Sequence, residues 1–304
     1  MKKQSIIFMG TPKFAVKSLK LLVENDFNIT GVITSVDKRK GRGRKISFSP
    51  VKEYAKEKKI PIYQPVNLKN PDFINKMKRK NPNLFVVVAF RMLPEILINI
   101  PENGTINLHS SLLPNYRGAA PINWVIINGE KETGVTTFFI NNKIDEGDII
   151  EKKKIKIEEN ETAGSLHNKL MKKGANLLLK SVKDIFNGNV NTSKQKISKN
   201  DKKAPKIDKK LCEINLNSNS KKIVQLIRGL SPYPGAKIIH KNKLIKIIDA
   251  RITRKSKNEI IGLIEENNKI FLNNNLGESI EILELQIEGK NRMNFKDYLR
   301  GNTI

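Results

Sequence analysis

The sequence has little of several residue types on which whole classes of protein depend. Its 304 residues include one cysteine, Cys212, and three histidines, so neither a disulfide framework within the chain nor a cysteine-rich metal site is expected. The longest apolar runs, such as LFVVVAF at residues 84–90, are long enough for a strand and too short to span a bilayer. We therefore expect a protein of the reduced cytoplasm, with no membrane association, no metal and no secretory leader. We also expect a monomer.

Acidic residues are also scarce relative to basic ones. The chain has 57 Lys and Arg against 30 Asp and Glu, which gives a formal net charge of +27. Such an excess is typical of proteins that bind a polyanion, most naturally nucleic acid. Compositional drift explains it equally well, because Lys, Asn and Ile are abundant throughout the chain, so the positions of the charges matter more than their sum.

The first half of the sequence alternates short apolar segments with amphipathic ones. Residues 5–9 and 84–89 have the composition of strands, whereas apolar residues recur at helical spacing in 14–25 and 72–79. This alternation predicts an α/β fold with a Rossmann-like, mostly parallel sheet, in which chemistry takes place at the carboxyl ends of the strands.

The second half changes in character. Residues 189–206 are rich in lysine and poor in large apolar residues, as in an exposed linker. Short apolar segments between Gly and Asn turns follow, which favours a small OB-like β-barrel. We therefore expect a catalytic domain over 1–188, a basic linker over 189–206 and a C-terminal β-barrel domain over 207–304.

The most informative motif is NLHSSLLP at residues 107–114. If a strand ends at His109, the alternation of side chains puts Asn107 and His109 on one face. A carboxamide able to donate to an oxyanion would then lie beside an imidazole able to move a proton. No nucleophile accompanies them, so the pattern predicts acyl transfer rather than a hydrolytic triad.

An aspartate would strengthen this site by orienting the imidazole and stabilising its protonated form. Asp145, in the segment IDEG at 144–147, is the best candidate, although such a segment is by itself ordinarily a turn. The residues alone leave open whether His109 acts as a base or as an electrostatic donor.

A second motif is the run KRKGRGRK at residues 38–45, with six basic residues in eight. Like charges and glycines disfavour a packed element, so we expect a flexible loop. A solvated basic loop is the plainer interpretation, but the guanidinium groups also suit phosphates and stack on bases. No GxGxxG or GxxxxGK[ST] sequence follows the Gly10 turn, so a nucleotide cofactor is not expected.

Several motifs taken together resemble the folate-dependent formyltransferases along nearly the whole chain. They are FMGTPKFA at 8–15, GRG at 41–43, SPVK at 49–52, NLHSSLLP at 107–114, YRGAAPIN at 116–123, TGVT at 133–136, IDEG at 144–147 and IRGLSPYPG at 227–235. One departure is FRMLP at 90–94, where many members carry a slightly longer stretch containing glycine.

The resemblance implies a reaction and its site. The formyl donor would be 10-formyltetrahydrofolate, used as a co-substrate, and the catalytic trio would be Asn107, His109 and Asp145. The folate-binding residues would be Ser111, Leu112, Leu113 and Pro114 after the strand, with Arg91, Met92 and Leu93 at the end of the neighbouring central strand.

It also implies a nucleic-acid partner, methionyl initiator tRNA. In the family, a loop at this place enters the acceptor end of the tRNA, which would assign Lys38, Arg39, Lys40, Arg42, Arg44 and Lys45 to tRNA binding. Arg42, between the two glycines, is the first choice for an essential contact. Two alternatives remain open: a formyltransferase for a small amine, such as an amino-sugar nucleotide or glycinamide ribonucleotide, and a non-catalytic RNA-binding protein with a decayed enzyme domain.

Overall fold

The computed structural model describes residues 4–40, 45–255, 260–301 and 304, and for residues 40, 45, 254 and 255 it describes the backbone alone. In chain order the elements up to residue 186 are β1 (Ser5–Gly10), α1 (Lys13–Glu24), β2 (Asn28–Ile33), β3 (Lys38–Lys40), β4 (Lys45–Ser47), α2 (Pro50–Glu57), β5 (Ile62–Tyr63), α3 (Pro71–Lys80), β6 (Leu84–Val88), α4 (Glu95–Ile98), β7 (Thr105–His109), β8 (Arg117–Gly118), α5 (Pro121–Ile127), β9 (Glu132–Phe139), β10 (Ile149–Lys156) and α6 (Ala163–Phe186). They continue with β11 (Lys203–Ala204), α7 (Ser220–Leu230), β12 (Ala236–His240), β13 (Lys243–Lys255), β14 (Gly262–Glu266), β15 (Lys269–Asn273), β16 (Glu278–Ile287), β17 (Met293–Asn294) and α8 (Phe295–Leu299).

These elements form two compact units that interleave along the chain. The first comprises Met1–Gly118, Thr133–Ile155 and His167–Lys203, and the second comprises Ala119–Glu132, Lys156–Leu166 and Ala204–Ile304.

The first unit is built on a seven-stranded sheet in the order β10-β9-β7-β6-β1-β2-β5. Strands β5, β2, β1, β6 and β7 pair in parallel, and β9 joins β7 antiparallel. The apolar sequences of β1 and β6 are buried on both faces, which is typical of parallel strands covered by helices.

Helices α2 and α3 have start signals that are legible in the sequence. Ser49 and Asn70 are their N-caps, each accepting a backbone N–H bond, and a proline follows each cap. The observed bounds of α3 lie within one residue of the expected 72–79.

The second unit contains an antiparallel sheet in the order β12-β13-β16-β15-β14, with β17 paired to β16. Helix α7 packs its Ile223, Ile227 and Leu230 into the core of this sheet, beside Ile247 and Ile282. The expected α/β fold class, with a mostly parallel sheet and then a small antiparallel β domain, is confirmed. Among the described residues the pairings of the second sheet form an open path, so the barrel takes the form of a half-barrel.

The basic run 38–45 differs from the flexible loop that we expected. Its two ends form the antiparallel pair β3–β4, in which Lys38 is opposite Ser47 and Arg39 is opposite Ile46. Backbone hydrogen bonds join the two strands while the side chains of Lys38 and Arg39 are exposed, so repulsion between like charges does not prevent pairing. Residues 41–44, the middle of the run, lie outside the described residues.

Candidate active site

The end of β7 carries the first two residues of the trio. β7 lies between β6 and β9, with Asn107 opposite Val87 of β6 and His109 opposite Thr136 of β9. Asn107 is half-buried, whereas His109 is only 6% exposed. The strand therefore ends, as expected, with an amide and an imidazole two positions apart.

The hydrogen bonds of His109 define the state of its ring. Its Nε2 lies 2.8 Å from the carbonyl oxygen of Tyr116, and a carbonyl can only accept, so Nε2 carries a hydrogen and donates. The neutral ring then has its lone pair on Nδ1. This nitrogen lies 3.8 Å from Oδ2 of Asp145. The lone pair of the neutral ring therefore lies on the side of the ring that faces the Asp145 carboxyl group.

Asp145 reaches this position from the loop that follows β9. Its backbone has φ 55°, in the left-handed region that few non-glycine residues adopt. Its Oδ2 accepts a hydrogen bond from the backbone N–H of Gly118 at 3.0 Å. The structure thus brings His109 and Asp145 together although 35 residues separate them in the chain.

Gly147 explains how this loop lies so close to the strand. A Cβ at this position would be 1.6 Å from the carbonyl oxygen of Phe139, so a side chain would displace the backbone. The glycine of the IDEG motif is required by this close approach.

Sequence reasoning missed the residues that hold the Asp145 loop. Arg117 pairs with Glu146 at 2.6 Å and with Asp201 at 3.6 Å. Gln195 donates from Nε2 to the carbonyl oxygens of Asp145 and Gly147. Gln195 and Asp201 lie within the expected exposed linker, where no periodicity or spacing singles them out.

The segment Ser111 to Pro114 is a rigid turn rather than a free loop. Ser111 donates to the carbonyl oxygen of Asn115 at 2.6 Å, and Thr136 donates to the carbonyl oxygen of Ser111 at 2.7 Å. Leu113 packs in a small core with Phe138 and Ile149. The side chains of Ser111 and Leu113 are thus engaged in contacts within the protein.

Lys152 on β10 also holds this turn, because its Nζ donates to the carbonyl oxygen of Leu113. Burial lowers the pKa of Lys152 below its usual value. Leu112 packs against Gly134, where an added Cβ would lie 2.4 Å from Leu112 Cδ2. Pro114 is half-buried at the end of the turn.

Residues 91–93 follow β6 and point in different directions. Arg91 donates to the carbonyl oxygens of Pro65 and Val66, Met92 is 67% exposed, and Leu93 is buried in the core of the first unit. A ligand at this strand end would therefore meet backbone groups and the Met92 side chain more readily than Arg91 or Leu93.

The base of the basic hairpin is anchored, whereas its described side chains are exposed. Asp37 accepts hydrogen bonds from Lys52 at 2.5 Å and Gln64 at 2.9 Å, and these bonds lower its pKa. Lys38 and Arg39 are exposed. Arg42 and Arg44 lie outside the described residues, as do the side chains of Lys40 and Lys45. No hydrogen bond or ion pair of the described part joins this hairpin to His109 or Asp145.

The described ranges contain neither a candidate metal site nor a helix able to span a membrane. They contain no group of three or more His, Cys, Asp or Glu side chains arranged to hold a metal ion. They also contain no helix with the length and apolarity needed to cross a membrane.

The mostly parallel sheet carries Asn107 and His109 at the end of β7, with Asp145 beside His109, and these are the residues for which the sequence predicted acyl-transfer chemistry. In agreement, the family model for formyl transferases matches residues 2–182, and the model for the formyl transferase C-terminal domain matches residues 206–303. The chain belongs to the formyl transferase family, as its motifs indicated.

Individual relatives are similar along their whole length. The methionyl-tRNA formyltransferase of Flavobacterium johnsoniae is 46% identical over 311 residues, covering 100% of this chain and 98% of the relative. That of Clostridium acetobutylicum is 45% identical over 303 residues, covering 98% and 97%.

Two solved structures of formyltransferases share the fold. WlaRD, a sugar 3N-formyltransferase crystallised with dTDP and 5-N-formyl-THF, has a TM-score of 0.67 at 26% identity, with 96% of this chain and 100% of that one covered. An N-formyltransferase from Helicobacter canadensis, in complex with folinic acid and dTDP-3-aminofucose, has a TM-score of 0.70. At 23% identity, over 93% of this chain and 99% of that one, this second likeness shows the fold alone.

Proposed function

We propose that the protein transfers the formyl group of 10-formyltetrahydrofolate to the α-amino group of methionyl initiator tRNA, a step of translation initiation. The observation that carries this proposal is the pairing of His109 with Asp145 beside Asn107. Likeness to methionyl-tRNA formyltransferases over the whole chain supports this substrate over a small amine.

The first chemical step needs donors for a developing oxyanion. The amine nitrogen attacks the formyl carbon, a C–N bond forms, and negative charge moves to the formyl oxygen. Asn107, through its amide N–H, and protonated His109 are the donors that we propose, each typically worth about 10²–10³ in rate.

The second step moves a proton and releases the folate. The amine loses a proton, the bond between the formyl carbon and the folate nitrogen breaks, and that nitrogen is released with a proton. His109 exchanges its proton at Nδ1, because Nε2 is held by the Tyr116 carbonyl. Asp145 stabilises the charged ring from 3.8 Å. Such proton transfer contributes roughly 10²–10⁴ in rate.

We propose that the folate binds along two strand ends. The residues are Ser111, Leu112, Leu113 and Pro114 after β7, with Arg91, Met92 and Leu93 after β6. The rigidity of the Ser111 turn supports this role, because its internal hydrogen bonds fix the backbone before any ligand arrives.

We propose that the tRNA is held by basic segments. Lys38, Arg39, Lys40, Arg42, Arg44 and Lys45 would engage its acceptor end. Residues 1–188 would form the catalytic domain, 189–206 a basic linker and 207–304 a tRNA-binding domain. The exposure of Lys38 and Arg39 and the net charge of +27 support binding of a polyanion by basic segments. Affinity for tRNA should then fall steeply with salt.

Arg42→Ala tests the role of the basic hairpin. We expect kcat/KM for methionyl-tRNA to fall at least about tenfold while the KM for folate stays within about twofold, because one lost guanidinium–phosphate contact is worth about 1.5–3 kcal/mol. Arg79→Ala, at an exposed arginine of α3, is the matched control. An equal effect on both substrates would contradict the assignment.

We also propose that the protein acts as a monomer in the cytoplasm. Both members of the His109–Asp145 pair come from one chain, so this pair needs no partner subunit. The one thiol, Cys212, is buried, and burial raises its pKa, which keeps it protonated. Sedimentation equilibrium of the full chain would test the oligomeric state.

The substrate is tested by comparing acceptors. With 10-formyltetrahydrofolate as donor, transfer to methionyl initiator tRNA should exceed transfer to a methionyl elongator tRNA, to an amino-sugar nucleotide and to glycinamide ribonucleotide. Transfer to small amines alone would replace the proposal with the small-amine alternative. Folate binding without any transfer would favour the non-catalytic RNA-binding alternative.

A further inference from the structure

One amide side chain reaches into the Asp145 loop from far along the chain. Gln195 belongs to residues 193–202, a segment that we call the strap, and its side chain is half-buried while its sequence neighbours are exposed. Its Nε2 lies 2.9 Å from the carbonyl oxygen of Asp145 and 2.8 Å from that of Gly147. Two carbonyl oxygens require the NH₂ group to face them, so both hydrogens of the amide are used.

These two hydrogen bonds restrain the loop at Asp145, whose backbone conformation is unusual. Asp145 has a left-handed φ of 55°. Such a conformation persists in a non-glycine residue when the surrounding structure holds it. The side chain of Asp145 is held by the N–H of Gly118, and its main chain is held by Gln195. The direction of the carboxylate therefore depends on both contacts.

The strap is itself fixed at both ends. Ser193 exchanges two backbone hydrogen bonds with Ile149 at the start of β10. At the other end, the backbone N–H of Lys202 donates to Asn115, and the Lys202 carbonyl accepts from the N–H of Tyr116 at 2.5 Å. The carbonyl of Tyr116 holds His109. The strap thus contacts the supports of both members of the His109–Asp145 pair.

The carbonyl oxygen of the Gln195 amide indicates that packing alone does not explain why a glutamine occupies this position. Gln195 Oε1 is buried and receives no hydrogen bond from the described residues. A buried acceptor without a donor costs free energy, which an apolar side chain of similar length would avoid. The amide is therefore better explained by the two carbonyl contacts of its NH₂ group than by stability.

We propose that Gln195 is a positioning residue that sets the place of the Asp145 carboxylate relative to Nδ1 of His109. This inference rests on the proposed function in one respect, since its kinetic consequence is read in formyl transfer. Its structural consequence, the restraint of residues 144–148, does not depend on the acceptor.

Gln195→Met is the test variant, because methionine has similar length and no donor. Gln195→Glu is the second, because it keeps the shape but presents oxygens to two carbonyl oxygens. We expect either change to lower kcat by about tenfold or more, since small misplacements of reacting groups are costly. The KM for methionyl-tRNA and for folate should stay within about twofold, and Gln4→Met, at an exposed glutamine, should leave all three constants unchanged.

A double-mutant cycle distinguishes positioning from general loss of structure. If Gln195 acts through the Asp145 carboxylate, adding Gln195→Met to Asp145→Asn should lower the rate by less than about twofold beyond Asp145→Asn alone. Independent, multiplicative losses would overturn the proposal.

Hydrogen–deuterium exchange without substrates gives the second readout. Exchange in a peptide covering residues 144–148 should be faster in Gln195→Met than in the unchanged protein or Gln4→Met. No change there would overturn the positioning role, whatever the activity. Failure of the unchanged protein to formylate methionyl-tRNA would instead refute the proposed function, and the exchange experiment would still decide the role of Gln195.

Discussion

Two carboxylates in this molecule are held in opposite ways. Glu281 lies on the regular strand β16, and its side chain is 5% exposed. Arg251 approaches it to 2.7 Å and Lys269 to 3.2 Å. Although burial by itself raises the pKa of Glu281, the bonds from Arg251 and Lys269 outweigh burial and lower it below its usual value.

Asp145 has no permanently charged partner of this kind among its described contacts. It lies on a left-handed loop residue, accepts a bond from a neutral backbone N–H, and faces an imidazole that is charged only when protonated. Its loop is held instead through main-chain carbonyls and through the neighbouring Arg117–Glu146 pair.

The comparison sets Glu281, a charge paired for stability, against Asp145, a charge that we propose takes part in the reaction. Glu281 is paired with two cations, so removing its carboxylate would leave both without a partner and lower the free energy of unfolding. In the proposed mechanism Asp145 responds to the proton on His109, which is what a reaction that creates and removes charge requires. Changes at the two places should therefore affect different measurements.

Changes in the trio should give the largest effects. His109→Ala removes both the proton carrier and a donor, and Asn107→Ala removes the other donor. We expect kcat to fall by about 10²–10⁴ for the first and about 10²–10³ for the second. Binding of tRNA, followed by filter retention, should stay within about threefold. Turnover near that of the unchanged protein would remove these residues from the site.

Gly147→Ala should give the next largest effect. The new Cβ would overlap the Phe139 carbonyl oxygen, so the Asp145 loop must move, and a shift of about 1 Å can cost about 10² in rate. The control is Gly188→Ala, where φ is 70° and no atom lies within 4 Å of the added Cβ. In Gly188→Ala the backbone is strained but the new Cβ displaces no neighbouring atom, so this variant should keep its kcat. Equal losses in both variants would mean that strain, not loop position, matters.

Glu281→Gln should affect stability and leave kcat unchanged for the folded molecule. Arg251 and Lys269 then lose the negative charge with which they pair. Because both side chains are half-exposed, water compensates part of this loss, and we expect a decrease of about 1–3 kcal/mol in the free energy of unfolding. Urea unfolding at pH 7 measures this, with Glu266→Gln, at an exposed position, as control. A loss of kcat with unchanged stability would reverse the comparison.

The pH dependence of the stability loss in Glu281→Gln should be the smallest of the expected effects, and its sign is definite. The pKa of Glu281 is lowered in the folded state, so its stabilisation is fully present above the ordinary carboxyl pKa of about 4.3 and is lost as pH falls through the folded pKa. The difference in unfolding free energy between the unchanged protein and Glu281→Gln should be constant from about pH 7 to 5 and shrink below about pH 4. A difference that grows on acidification would contradict the sign.

The sequence allowed prediction of whatever depends on local pattern. Apolar runs located β1 and β6, helical spacing located α1 and α3, and the rule that chemistry lies at the ends of parallel strands drew attention to Asn107 and His109. Asp145 was the best candidate for an orienting aspartate in the sequence, and the resemblance then assigned it to the trio, but its contact with His109 across 35 intervening residues has no local signal.

The remaining features depend on contacts that no local pattern encodes. Gln195 and Asp201 lie in a lysine-rich stretch without periodicity, and their importance comes from the loops that folding brings against them. The β3–β4 pair was missed for a related reason, since backbone pairing tolerates charged side chains that face water.

Single-turnover transfer of labelled formyl from 10-formyltetrahydrofolate to methionyl initiator tRNA tests the account most directly. Unchanged protein and Asp145→Asn should be compared, with equal melting temperatures verified first. We predict rapid formation of formylmethionyl-tRNA by the unchanged protein and a rate lower by about 10² or more for Asp145→Asn. The account would be contradicted if the folded, unchanged protein gave no formylmethionyl-tRNA, or if Asp145→Asn gave it at an undiminished rate.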